Sequence, residues 1–239
     1  MDNKEELVEK AENFLKETDL TIAQLVQLLG KRNSSALNLS KEQQKQFKKL
    51  YGEIDGGCLS KREKGKKLEE ITELLFSSPK GNFFECRRNC RTSSNEIDLL
   101  LTWNEAARIE HINDAFPCFG DTFLCECKNY EEKVSVTYVG KFYSLLSMAS
   151  VKLGIMIAWE GVSGKGKWDA AQGLIKKIAL KDAIFIVVLD KNDLKEIYNE
   201  SRNIYSLIYD KYNALKNDID FSGYILKHPA EAVLLTEDS

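Results

Sequence analysis

An α/β sandwich on a mixed sheet is the fold class that this sequence predicts. Apolar runs of strand length stand at 96–103, 122–128, 154–159 and 183–189, each bounded by turn residues or polar stretches. The early strands follow one another like hairpins, whereas the later ones alternate with helical stretches, as parallel strands do when they need crossovers. A 43% apolar and 30% charged composition is that of a soluble globular chain long enough for one medium domain and a small extension.

Taken in order, residues 5–17 place Leu7, Ala11, Phe14 and Leu15 at helical spacing. Thr21 is placed to cap a second helix to 29, with Ile22, Leu25, Leu28 and Leu29 on one face. Ser40 caps a third helix, 41–54, with Lys45, Lys48 and Lys49 outward. These three read as a helical extension for packing or partner contact, with a helix-turn-helix DNA reader as the alternative. Asp55-Gly56-Gly57 marks the boundary. The chain therefore divides into a helical N-terminal region (1–57), a main domain (58–220) and a tail (221–239).

The main domain opens on a basic run and a helix carrying Leu68, Ile71, Leu74 and Leu75, which stops at Phe76 before Ser77-Ser78-Pro79. Strands are expected at 83–91, 96–103 and 122–128, with an irregular connection over 104–121. A helix over 137–150, a strand over 154–159, a glycine-rich loop over 161–167 and a helix over 168–180 follow. The strand 183–189, a short helix capped by Asp193 and a helix over 202–216 close the domain.

Several function classes drop out. No apolar run approaches the roughly 20 residues that span a bilayer, and the N-terminus is polar, so a cytoplasmic location without membrane contact is expected. Six cysteines without an export signal or a CxxC pair read as reduced thiols, with a structural zinc the lesser alternative. Two histidines give little support to a histidine metal centre or base. The net charge of −3 does not advertise nucleic-acid binding, yet from 61 to 91 nine basic residues, Lys66 and Lys67 among them, face five acidic ones. Such a stripe can track phosphates.

The anomaly lies in Phe123-Leu124-Cys125-Glu126-Cys127-Lys128. Alternation along a strand puts Glu126 and Lys128 on one face with Leu124. Uncompensated burial of either charge costs several kcal/mol, so folding alone would favour Val or Ile there. Asp98 intrudes in the same way on the preceding apolar strand, and Glu69 sits on the first helix of the domain, with Glu70 as its rival. If the two strands pair, Asp98 and Glu126 converge on one hard cation, for which Mg²⁺ is suited and Mn²⁺ is an alternative. The carbonyl of Cys127 completes the protein ligands. Lys128 then orients or deprotonates a water and offsets developing charge, while Glu69 binds a second ion or holds a water.

This set resembles the PD-(D/E)XK nuclease superfamily and, within it, the Mrr-like restriction endonucleases. Gly65-Lys66-Lys67-Leu68-Glu69 is similar to that group's opening helix, Glu96-Ile97-Asp98-Leu99-Leu100 to its Asp strand and Glu126-Cys127-Lys128-Asn129 to its ECK strand. Gly161-Val162-Ser163-Gly164 before Ala170-Ala171 resembles its later loop, and 184–190 its closing strand. The likeness covers about 60–215. A second ExK, Glu131-Glu132-Lys133, lies in a polar stretch, and the long connection from Asp98 to Glu126 departs from the pattern and makes Asp121 a rival to Asp98.

The resemblance implies a restriction-endonuclease-like α/β/α sandwich and metal-dependent hydrolysis of phosphodiester bonds. The implied activity is a DNA endonuclease of restriction or defence, with double-stranded DNA as partner and a homodimer or a defence-system protein as further partners. Lys141, Ser163 and Lys165 join Lys66 and Lys67 as expected nucleic-acid contacts. An inactive nuclease-fold binding or assembly module and an RNA-directed nuclease are the alternatives.

Overall fold

The computed structural model describes residues 2–21, 24, 38–77, 83–91, 96–109, 111–164 and 169–217. Five strands form one sheet in the order β1-β2-β3-β4-β5: Phe84–Arg91, Glu96–Trp103, Thr122–Lys128, Leu153–Ala158 and Phe185–Leu189. The first three pair antiparallel and the last three parallel, as the shift from hairpin succession to strand–helix alternation anticipates. Among the described residues eight α-helices accompany them: α1 (Asp2–Thr18), α2 (Lys41–Asp55), α3 (Lys61–Phe76), α4 (Glu105–Ile109), α5 (Val136–Met148), α6 (Ala170–Asp182), α7 (Lys191–Tyr198) and α8 (Ile204–Asn217).

Side-chain alternation gives the sheet two buried faces. One carries Leu99, Leu101, Phe123, Cys125, Ile155, Ile157, Val187 and Leu189 under α2, α3, α7 and α8. The other carries Leu124, Met156, Ala158 and Ile186 under α5 and α6. Burial on both faces explains why β4 reads as a continuous apolar run. Gly154 lets α5 lie close on this strand, since a Cβ there would stand 2.6 Å from Leu146 Cδ1 and 2.7 Å from Phe142 Cε1.

Ser40 and Ser60 each open a helix with a reciprocal capping box, to Gln43 for α2 and to Glu63 for α3. The turn between them is the expected boundary at 55–57, yet Phe47, Leu50, Tyr51 and Ile54 of α2 belong to the same core as α3 and the sheet. Two local readings change. The cap of α7 is Asp190, whose Oδ1 accepts from the amides of Asn192 (2.8 Å) and Asp193 (3.2 Å), while Asp193 accepts from the Asp190 amide as its reciprocal partner. The connection over 104–121 holds α4 and two short 3₁₀ turns, and it buries Phe116 and Phe119 against Trp103 and Phe123. The second expected helix falls mostly outside the described residues, though Thr21 and Gln24 make the reciprocal bonds of its capping turn. The tail at 221–239 also lies outside them. Among the described residues no helix is long and apolar enough to cross a membrane.

Candidate active site

The site begins where two strands part. Strand β3 pairs with β4 as far as Lys128↔Ala158, but its ladder with β2 stops at Leu99↔Cys125. The last three residues of β3 therefore have a strand on one side and an opening on the other.

Strand β2 supplies Asp98 to this opening through a twist. Ile97 packs with the α5–α6 face and Leu99 with the opposite one, although regular alternation would put both on the same side. Beside this twist, Asn89 of β1 adopts a left-handed conformation (φ 48°) between the pairs Arg88↔Leu99 and Cys90↔Ile97. A local distortion of this kind re-aims the facing side chain. Asp98 Oδ2 accepts a hydrogen bond from the Cys127 amide at 2.7 Å, so the carboxylate takes the place that a β2 carbonyl would hold in a continued ladder. The Cys127 peptide thus faces the opening.

Glu126 and Lys128 sit on the α5–α6 side of β3, level with Met156 and Ala158 of β4. Glu126 is only 9% exposed. Its Oε1 pairs with Lys128 Nζ, while its Oε2 is buried without a hydrogen-bond partner. Burial pushes the Glu126 carboxyl up to about 7; Asp98 and Glu69 add to the rise, and Lys128 opposes it. For Lys128, burial lowers the ammonium's pKa, but the Glu126 and Asp98 carboxylates outweigh it and hold it above its ordinary value. Glu69, half-buried on α3, acts electrostatically on both Glu126 and Cys127.

Helix α3 is held over this end of β3 by contacts that the sequence reading passed over. Thr72, fully buried, donates to the Leu68 carbonyl at 2.7 Å and lies 3.2 Å from the Cys127 sulfur. Its signal was a threonine on the otherwise apolar face of α3, one turn from Glu69. An ion pair between Glu73 and Arg88 ties the same helix to β1 beside Asn89. Burial drives the Cys127 thiol well above its ordinary pKa, so it is no nucleophile, and all six cysteines are free thiols.

Of the rivals, Glu70 is exposed on the far side of the helix, along a groove with Glu73 and Arg87. Asp121 stands at the other end of β3, 82% exposed at its side chain and bonded to Arg108 Nη1 at 3.0 Å. Asp98, Glu126, Cys127 and Lys128 thus meet at the end of β3, with Glu69 of α3 within electrostatic reach, and both rivals are exposed to solvent. The expected nucleic-acid contacts are more dispersed. Lys66 is exposed, but Lys67 is engaged by Glu53 of α2 at 2.5 Å. Lys141 is exposed on α5 with Nζ 5.5 Å from the centre of the Tyr138 ring. Ser163 is half-buried, its amide donating to the Val134 carbonyl at 2.9 Å. Lys165 lies outside the described residues.

Helical layers on both faces of a mixed five-stranded sheet define a restriction-endonuclease-like α/β protein. The chain belongs to the restriction endonuclease family of the Mrr catalytic type, whose model matches residues 60–197, more than half of its length. That span runs from the cap of α3 through α7 and holds every residue gathered at the β2–β3 opening. No curated protein matches the chain.

Proposed function

We propose that the protein is a divalent-cation-dependent endonuclease that hydrolyses phosphodiester bonds of double-stranded DNA, with Mg²⁺ as its ion and restriction or defence as its setting. The observation that carries this reading is the buried Oε2 of Glu126, without a hydrogen-bond partner and beside the Asp98 carboxylate. A strand that keeps a buried carboxylate oxygen unpaired bears a desolvation cost of a few kcal/mol unless something positive meets it.

The donor set fits a hard ion: carboxylates and a peptide carbonyl, no histidine, and thiols held protonated. Among the described residues no group of three or more His, Cys, Asp and Glu side chains stands together so as to hold a metal ion, and at most two carboxylates with a peptide carbonyl are called on here. This suits Mg²⁺, which keeps much of its own water and takes one or two protein carboxylates. Asp98, Glu126 and the Cys127 carbonyl are the residues that would hold it. Once bound, the ion supplies charge neutralisation at a phosphate oxygen and lowers the pKa of a water.

The chain's own groups do the rest. The Cys127 amide fixes Asp98, so the carboxylate is oriented before any ligand arrives. Lys128 is held as an ammonium by Glu126, which makes it a positioning and charge-stabilising group at the reacting phosphate and a poor proton acceptor. Glu69 of α3, within electrostatic reach of Glu126, is the third negative group in this reading and is assigned to a second ion or an ordered water. Lys66 and Lys141, both exposed, and the half-buried Ser163 are the residues assigned to the DNA backbone in this reading.

The test is a substrate panel of covalently closed plasmid, linear duplex, single-stranded DNA and RNA, each incubated with Mg²⁺ or with EDTA. Expected is cleavage of duplex DNA that requires the divalent cation. Hydrolysis that persists in EDTA, or hydrolysis of RNA alone, contradicts the proposal.

A further inference from the structure

Beside the site lie two tyrosines that the cleavage chemistry does not use. Tyr130 follows Lys128 by two residues, just past the end of β3, and Tyr138 stands in the first turn of α5. Their ring centroids are 5.0 Å apart at an interplanar angle of 43°, and each residue is 37% exposed. The two rings are close enough to present themselves together to a ligand. A lone exposed aromatic is ordinary, but a paired and oriented one costs apolar exposure that folding does not require.

Charge sets what this surface fits. Lys141 lies one turn beyond Tyr138, its ammonium 5.5 Å from the ring centroid. On the other side, Tyr130 stands two residues past Lys128 at the end of β3, so the patch adjoins the β2–β3 opening. Two exposed aromatic rings, with an ammonium beside one of them and a phosphodiester site adjoining, match a nucleobase and its phosphates. A base paired within a duplex is stacked on its neighbours and cannot meet such a surface without leaving the stack.

We infer that Tyr130 and Tyr138 form a stacking platform for an unpaired or extruded DNA base next to the cleaved phosphate, with Lys141 on the adjoining phosphate. The position of that phosphate rests on the nuclease reading above, whereas the stacking contact does not. The substrate class is DNA with a nucleotide that leaves the helix at little cost, such as a bulge or a mismatch. Stacking is tolerant of base identity, so the platform selects for helix opening and not for sequence.

The test is equilibrium binding in EDTA, by fluorescence anisotropy, to a duplex with a one-nucleotide bulge and to the same duplex with an abasic bulge. Tyr138→Ala is expected to weaken binding to the bulged duplex by about 5- to 150-fold, the range for one lost base–aromatic stack. Tyr138→Phe keeps the ring and is expected to stay within about twofold of wild type on the same grounds. With the abasic bulge the difference between wild type and Tyr138→Ala should vanish. Equal binding of the bulged duplex by wild type and Tyr138→Ala, or a difference that survives removal of the base, overturns the inference. So does tighter binding of a bulged RNA. Wild type that binds in the expected pattern but hydrolyses no DNA with Mg²⁺ removes the nuclease reading and leaves the platform standing. Mg²⁺-dependent cleavage without the stacking difference removes the platform alone.

Discussion

Glu126 concentrates the tension of this fold in one side chain. Its carboxyl is raised from 4.5 to about 7 by burial first, then by Asp98. A carboxyl with a higher pKa folded than unfolded binds its proton more tightly in the native state. Its contribution to stability is therefore complete below the unfolded value and is lost as pH rises through the folded one. Thermal melts in EDTA are expected to show stability falling between about pH 5 and pH 8, with Glu126→Gln flattening much of that slope. A divalent cation should restore stability at the upper end of the range, since it binds the ionised carboxylate. A wild-type melting temperature that rises over this range in EDTA, to the same degree in Glu126→Gln, contradicts this picture. Two charges in an apolar strand made Glu126 and Lys128 legible in the sequence, because burial of either demands a reason. Thr72 left only the faint signal of one hydroxyl on an apolar helix face, and Tyr130 left none, for a tyrosine just past a strand end violates no folding rule and acquires meaning only from what stands opposite.

Elements decide how the charged residues meet. The strands around the site were legible because apolar runs and turn residues bound them closely, and β2 and β3 begin and end where the sequence placed them. The twist at Asp98 was not legible. It depends on a cross-strand neighbour, Asn89, whose left-handed φ of 48° cannot be read from one strand alone. Asparagine tolerates that conformation and a β-branched residue does not. Asn89→Val is expected to destabilise the fold by about 1–2 kcal/mol and to lower cleavage further by moving Asp98, whereas Asn89→Gly should retain most activity. Denaturant melts with parallel cleavage rates check both, and an Asn89→Val protein with wild-type stability and rate contradicts the role given to the twist. The cap of α7 shows the same limit on a smaller scale. Asp190 and Asp193 both suit a helix start, and only the backbone reveals which is the cap and which its reciprocal partner.

At the level of the whole molecule, the sheet works as a frame with one opened seam. The α3 layer presses Thr72 onto Cys127 from one face, and α5 lies close on β4 at Gly154 on the other, so the end of β3 is fixed while β2 turns away. Helix α2 is part of this frame, since Phe47 and Ile54 are buried with α3 and Glu53 holds Lys67. Sequence composition suggested a break at 55–57, because glycines end a helix whether or not the next helix shares its core. Within the basic stripe, Lys67 and Arg88 are paired with Glu53 and Glu73, a pairing that charge counts along the sequence do not reveal. In the proposed function, Asp98, Glu126 and Lys128 form one cation-dependent cleavage site at the opened seam. Its most direct measurement is the Mg²⁺-dependent cleavage rate of covalently closed plasmid by wild type and by Asp98→Asn, Glu126→Gln and Lys128→Ala, each verified as folded by circular dichroism. Each folded variant is expected to lose at least about a hundredfold in rate. Cleavage at the wild-type rate by all three would contradict the claim.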